Sequence, residues 1–384
     1  MRQPNLIRAA MTLVLLVASS VCGRAAVNPP FARVAPERVA GDPARENQET
    51  NQFLKADAKG RVFLLHGDNL AVDQILPSGK IVPGRMPHGR EASAAAVKDA
   101  ALSPDGSSWL LRSGPDELIL LSGDDRRELP TPNWWISAVA YTTDGPVVAV
   151  LPAWVGGRDA TGHTELDKPP FLLRLDGQKW QTLSMQTPPT SAQEPPAGLS
   201  SLFEVIKGER DLRLATGRKG ALWTAQQNAY LLKRYSRQGA VEESVAVKGG
   251  DIQWKERTEE DWKALETAAQ AAALKFTRSR HPKTAPVRVV RGLTAQDNRV
   301  YLVVETPEGL ALDRWNDETE VLDRLLLAGI APGRSYLGMA AGRDGLYIAA
   351  CGLGEPIWRL DWQRLEDAKW KAVPEAVAQR PRKQ

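Results

Sequence analysis

The densest group of chemistry-bearing side chains in this 384-residue chain lies between residues 134 and 167. Trp134 and Trp135 precede an apolar run, Trp154 follows it, and "VGGRDATGHTELDKPP" then adds Asp159, His163, Glu165 and Asp167. Indole faces beside acids and a histidine can stack a sugar ring or an aromatic group while supplying its polar contacts. We therefore take Trp134, Trp135, Trp154, His163 and Glu165, with Arg291 further along the chain, as the candidate ligand-binding set. His66, Asp68 and Asn69 in "LLHGDNLAV" read first as a hairpin turn, because Gly, Asp and Asn accept turn backbone.

Strong catalytic motifs are absent from the sequence. There is no HExxH, GxSxG, CxxC or P-loop, and no glycine triad placed between a strand and a helix. Four histidines in the whole chain exclude a His-rich metal site. Binding is therefore expected ahead of catalysis, with no organic cofactor.

The elements that position these residues repeat along the chain. "DAKGRVFLL", "LSPDGSSWLL", "YTTDGPVVAV", "ATGRKGALW", "TAQDNRVYLV" and "AGRDGLYIAA" each join two apolar runs through a turn. Such turns suit hairpins, since Gly or Asn adopts positive φ at little steric cost. Each hairpin is followed by a third strand and usually another turn, as in "FLLRLDGQKWQTL" and "LALDRWNDETEVLDRL". Six units of four antiparallel strands, repeating near every forty residues, predict an all-β, six-bladed β-propeller. The central turns fall at Gly60, Gly106, Gly145, Gly220, Asn298 and Gly345, with spacings of 46, 39, 75, 78 and 47 residues. The two long spacings carry a polar insert, a Pro-rich stretch and one helical insertion between blades four and five, so six blades are expected rather than seven.

Let strands A to D run outward from the channel within a blade. Antiparallel order puts the A–B and C–D turns on one face and the B–C and D–A connections on the other. All long connections (84–96, 156–170, 187–209 and 249–287) then share the second face, and insertions on a rigid scaffold are where sites tend to be built. The helical insertion follows Thr258, has acids in its first turn and bases near its end, and stops at His281-Pro282. Its stripe of Trp262, Leu265, Ala269, Ala272 and Phe276 predicts a lid over the channel mouth or a blade edge.

This patterning resembles that of the six-bladed propellers, a broad class with TolB-like, NHL-type and SMP-30/gluconolactonase-like members. "SPDG" is common in TolB-like blades; "SPDGSSW" also resembles a sialidase Asp-box but is one residue short of it, so no sialidase chemistry is carried over. The SMP-30-like resemblance implies a divalent cation held in the channel by carboxylates and amides from different blades. Its matching positions here are Asn51, Asp99, Ser137, Asp211, Arg291 and Tyr336, of which Asn51, Asp99 and Asp211 are candidate metal ligands. Oxygen donors of this kind suit Ca²⁺ or Mg²⁺, and such a cation could drive lactone hydrolysis. Arg291 in the same ring opposes a cation and favours an anion, and it could also pair with Asp99 or Asp211.

The N-terminus sets the expected compartment. Arg2 and Arg8, an apolar stretch from Ala9 to Val21 and small residues to Ala25 have the layout of a secretory signal too short to span a bilayer. Residues 1–25 are thus expected as a signal peptide of a periplasmic or secreted protein, with lipidation at Cys22 as the alternative. Losing Arg2, Arg8 and Arg24 takes Lys+Arg from 50 to 47 against 46 acids, a formal charge of +1. Only "RPRKQ" and "LKFTRSRHPK" are locally basic, so nucleic acid is not an expected partner; a small molecule or an envelope protein is. Cys351 would remain the sole thiol, without a disulfide partner. The expected boundaries are a linker at 26–49, the propeller at 50–374 with insertions at 156–170, 187–209 and 250–286, and a basic tail at 375–384.

Overall fold

A computed structural model of the chain describes residues 31–40, 52–84 apart from 68, 97–151 apart from 114–116, 124 and 133–134, 170–185, 212–247 apart from 218–219 and 227–229, 254–259, 262–263, 266, 277–280, 283–286, 289–330, 337–350, and 356–380 apart from 375. It is a six-bladed β-propeller. The innermost strands are Gln52–Ala56, Asp99–Leu102, Trp135–Thr142, Leu212–Thr216, Val290–Gln296 and Leu337–Ala341. Each begins an antiparallel sheet that runs outward in chain order. Each also contacts the innermost strand of both neighbouring blades, with the sixth returning to the first, so the ring is closed.

The core lies between the blades rather than at the centre. Among the described residues there are six buried clusters, one for each seam. Phe53, Leu65, Trp109 and Leu111 fill the seam of blades one and two, and Leu110, Val139, Val148 and Leu173 fill the next. The series ends with Leu54, Leu64, Tyr347 and Ala349 between blades six and one. A strand sends alternate side chains to opposite faces, so a sheet buried on both sides needs apolar residues at nearly every position. Gly345–Ala350, "GLYIAA", is buried throughout and meets that need.

The termini close and edge the ring, which the linker and tail expectations did not include. Glu37–Ala40 pairs antiparallel with Ile357–Asp361 and supplies the fourth strand of blade six. Arg33–Val34 runs parallel to Val321–Leu327 of blade five. At the other end, Asp361 caps a short helix, Trp362–Glu366, by accepting from the Gln363 and Arg364 amides. The chain is thereby turned away, and Lys371–Ala372 pairs with the outer strand of blade five while Ala376–Gln379 pairs with the outer strand of blade four. Arg380 then bonds the fully buried Glu243 at 3.2 Å. Strands with bare outer edges invite pairing with other chains, and these additions cover three of them.

The insertion after blade four is a ribbon as well as a helix. Trp254–Glu256 pairs with Thr284–Pro286, so the segment leaves and re-enters through a two-stranded ladder too small to be a blade. Glu259, Trp262, Lys263 and Glu266 are helical. The Trp262 ring is flanked by the Arg257 and Arg278 guanidinium groups, each 5.6 Å from its centroid, within the insertion itself. The remaining stripe residues lie outside the described residues. No helix among the described residues is long and apolar enough to cross a membrane.

Candidate functional site

The two ends of the channel are built differently, beginning with the strand starts on the looped side. Asp99, buried at 7 % exposure, accepts the Ala100 amide at 2.9 Å on one oxygen and the Val139 amide of blade three at 2.9 Å on the other. It bridges two blades. The Arg291 guanidinium pairs with Glu305 on the adjacent strand of its own blade, with Nε at 2.9 Å from Oε2. The pairing of Asp99 with Arg291 considered from sequence is therefore replaced by separate partners. Ser137 is buried at the bulge between Ile136 and Ala138, with its hydroxyl unpaired.

Asn51, Asp211 and Tyr336 lie outside the described residues, as do Trp134, Trp154, His163 and Glu165. Trp135 opens the inner strand of blade three, and its backbone alone is described. His66 is engaged elsewhere: its Nε2 is 2.9 Å from Asp73 on the next strand. Among the described residues no three His, Cys, Asp or Glu side chains converge as metal donors. Each Asp99 oxygen accepts one backbone amide, and the other two candidate metal ligands, Asn51 and Asp211, lie outside the described residues.

The opposite end carries a cavity of about 220 Å³, lined by all six inner strands and by the A–B turns of every blade except the fifth. Its deeper wall is apolar, with Leu102, Val139, Leu214, Leu293 and Met339 from mid-strand or strand-end positions. Thr142, Thr143, Thr216 and Gln296 stand nearer the mouth. Innermost strands have one edge without a neighbouring strand, so their backbone groups also face this space.

The mouth is organised by turns that bond from blade to blade. In "DAKG" the Gly60 amide bonds to the Asp57 carbonyl, and Gly60 takes φ +74°. "SPDG" repeats this with Gly106 on Ser103 and φ +77°. Arg343 N donates to Gly60 O at 2.9 Å, and Ala58 N donates to Pro104 O at 2.8 Å. Turns of blades six, one and two are thereby locked in sequence. A Cβ on Gly60 would lie 2.7 Å from Arg343 N, so this position requires glycine for contact as well as conformation.

Charge at this mouth is one-sided. Lys55, Lys59 and Arg343 line the cavity against a single carboxylate, Asp57. Asp57 is committed: it accepts the Lys59 and Arg61 amides at 2.9 and 2.8 Å, and Arg61 Nε at 2.6 Å. Acids on neighbouring turns are likewise held. Ser103 and Ser107 hydrogen bonds bring the Asp105 carboxyl down to about 2, and Asp344 bonds Tyr347 and Arg359. The exposed side chains of Lys59 and Arg343 form no ion pair with a described residue. Sequence reasoning passed over both. The signal available was a cation inside the tightest turn of the first and last repeats.

Six blades around a polar-mouthed channel define a six-bladed propeller. No protein-family model matches the chain, and no curated protein matches it. Among solved structures the chain is similar to a catalytically inactive virginiamycin B lyase from Staphylococcus aureus, at 14 % identity and TM-score 0.42, covering 82 % of this chain and 96 % of that one. It is also similar to a structural-genomics protein of unknown function from Bacteroides thetaiotaomicron, at 12 % identity and TM-score 0.47, covering 85 % and 75 %. A third is the Cps50 (Swd1) β-propeller domain from Myceliophteria thermophila, at 12 % identity and TM-score 0.39, covering 82 % and 98 %. No residue role is transferred from these likenesses.

Proposed function

We propose that this chain is an exported, non-catalytic propeller that binds a small anionic ligand at the tight-turn mouth of its channel. The carrying observation is the pair Lys59 and Arg343. They sit on adjacent hydrogen-bonded turns over a cavity whose one lining carboxylate is bound to Arg61. A guanidinium and an ammonium on adjacent turns of one cavity mouth suit a carboxylate or phosphate, the first by its planar fork and the second as a compact charge. The hydroxyls and amide near the mouth add neutral hydrogen bonds, and the apolar wall limits the size of what enters. Export rests on the leader-like residues 1–25. The alternative, a metal-dependent lactonase, would draw on Asn51, Asp99 and Asp211.

The test is calorimetric titration of the full chain with citrate. Wild type is expected to bind, with affinity falling as ionic strength rises. Lys59→Ala and Arg343→Ala should each weaken binding by roughly tenfold. Unchanged affinity in the double variant would overturn the reading.

A further inference from the structure

Lys59 and Arg343 stand on opposite sides of one seam, that between the first blade and the last. Two cations carried by different blades form one mouth only while those blades stay together. Contacts at three levels hold this seam shut.

At the inner rim, Arg343 N donates to Gly60 O. Between the sheets, Leu54, Val62 and Ile75 of blade one meet Tyr347, Ala349 and Ile357 of blade six. At the outer edge lies the N-terminal strand Glu37–Ala40, which pairs with Ile357–Asp361 of blade six while Val39 packs into the same seam. Gly79, in the C–D turn of blade one, makes room for it: a Cβ there would lie 3.2 Å from the Val39 Cβ.

One guanidinium ties the outer edge to the turn at the rim. Arg359 donates from Nη2 to Glu37 at 2.9 Å and from Nη1 to Asp344 at 3.0 Å, and Nη1 also bonds the Pro77 carbonyl of blade one. Asp344 follows Arg343 in the A–B turn of blade six and also accepts the Tyr347 hydroxyl at 2.9 Å. The turn that presents Arg343 is thus held by Gly60 on one side and by Arg359 on the other. A four-residue strand on a sheet edge belongs to the part of a fold that opens most readily. When it leaves, Arg359 loses Glu37 and the seam loses Val39.

We propose that anion binding at the channel mouth and docking of the N-terminal strand Glu37–Ala40 are coupled, each favouring the other through the seam of blades one and six. A ligand that binds only the closed seam shifts the strand toward docking by the same factor as the docked strand raises its affinity. Whatever holds or frees residues 37–40 therefore sets how tightly the anion is held. This inference rests on the channel-mouth reading and adds the regulation of that site by ring closure.

The experiment is hydrogen–deuterium exchange on the full chain with and without citrate, beside calorimetric titration of three variants. At citrate one hundred times its dissociation constant, exchange in Glu37–Ala40 should slow at least fivefold, toward a ceiling of about a hundredfold. Ala376–Gln379, an edge strand on blade four, should keep its rate. Glu37→Ala should weaken citrate binding roughly twofold to fivefold although Glu37 does not line the cavity, and Val39→Ser should weaken it further. Arg380→Ala, which frees the blade-four edge strand from Glu243, should leave the affinity unchanged. If Val39→Ser does not fold, Glu37→Ala and the exchange data carry the test. Unchanged exchange in Glu37–Ala40, or wild-type affinity in Glu37→Ala, would overturn the coupling and leave the anion site standing. Equal slowing of both edge strands would also overturn it, since the effect would then not belong to this seam. Absence of citrate binding would overturn the channel-mouth reading itself.

Discussion

The two ends of the channel use the same residue types to opposite effect. At the looped end Asp99 and Arg291 are buried or half-buried, and each is consumed by a protein partner, the Val139 amide and Glu305 respectively. At the tight-turn end the acids are consumed by their own turns, while Lys59 and Arg343 remain exposed without a described partner. Charge at one end joins blades together; charge at the other is left for something outside the chain. A charged residue at a channel mouth is thus informative only once its partners are counted.

Breaking the structural end should have the larger effect. Asp99→Ala leaves the Val139 N–H buried without its acceptor, and removing such a partner costs about 1–3 kcal/mol. Stability should fall by an amount near the top of that range in urea titration, and Asp99→Asn, which keeps an acceptor oxygen, should recover part of it. If both variants unfold with wild type, the bridge between blades two and three contributes nothing. Gly60→Ala is next. It forces a side chain into a left-handed conformation at a cost of about 1–2 kcal/mol and drives its Cβ toward the Arg343 backbone. It should lower citrate affinity as well as stability, since it displaces the turn that carries Lys59. A stability loss with intact binding would show that the locked turns do not position the cations.

The blades were legible because each one is written locally. Gly60, Gly106 and Gly220 all take φ between +74° and +77° at the A–B turn, and the turn residues alone imply this. What was illegible depends on closure. "ERVA" at 37–40 is too short to read as a strand, and it becomes one because Ile357–Asp361 presents an edge to it. The chain after Ile357–Asp361 does not supply a fourth strand to blade six, because the Asp361-capped helix diverts it to blade five. The candidate site follows the same rule. Lys59 and Arg343 belong to the first and last blades, and only ring closure brings their turns into hydrogen-bonding contact. Taken singly, each reads as an ordinary solvated turn residue.

A smaller effect should appear with acid. Asp105 is exposed, and the Ser103 and Ser107 bonds lower its carboxyl from 3.8 to about 2 in the folded protein. A lowered folded value means the unfolded chain takes up the proton first. Its contribution is therefore complete above about pH 4 and is lost as pH falls toward 2. Exposure to solvent keeps it modest. Asp105→Asn should lower the neutral plateau of a thermal-midpoint curve slightly and flatten its acid limb, so that the variant and parent curves converge toward pH 2; identical curves would mean the turn gains nothing from the charge.

The smallest change in stability is expected where the change in binding is largest. Lys59→Ala and Arg343→Ala each remove an exposed side chain with no described ion pair, and surface substitutions of this kind stay within about 0.5 kcal/mol of wild type. Both variants should melt with the parent while losing citrate. Like charges held near each other also repel, so removing one relieves that repulsion, and the double variant is expected to be no less stable than either single one. A clear loss of stability would instead mean that these cations serve the fold, as Asp99 and Arg291 do, and would dissolve the contrast between the two ends of the channel.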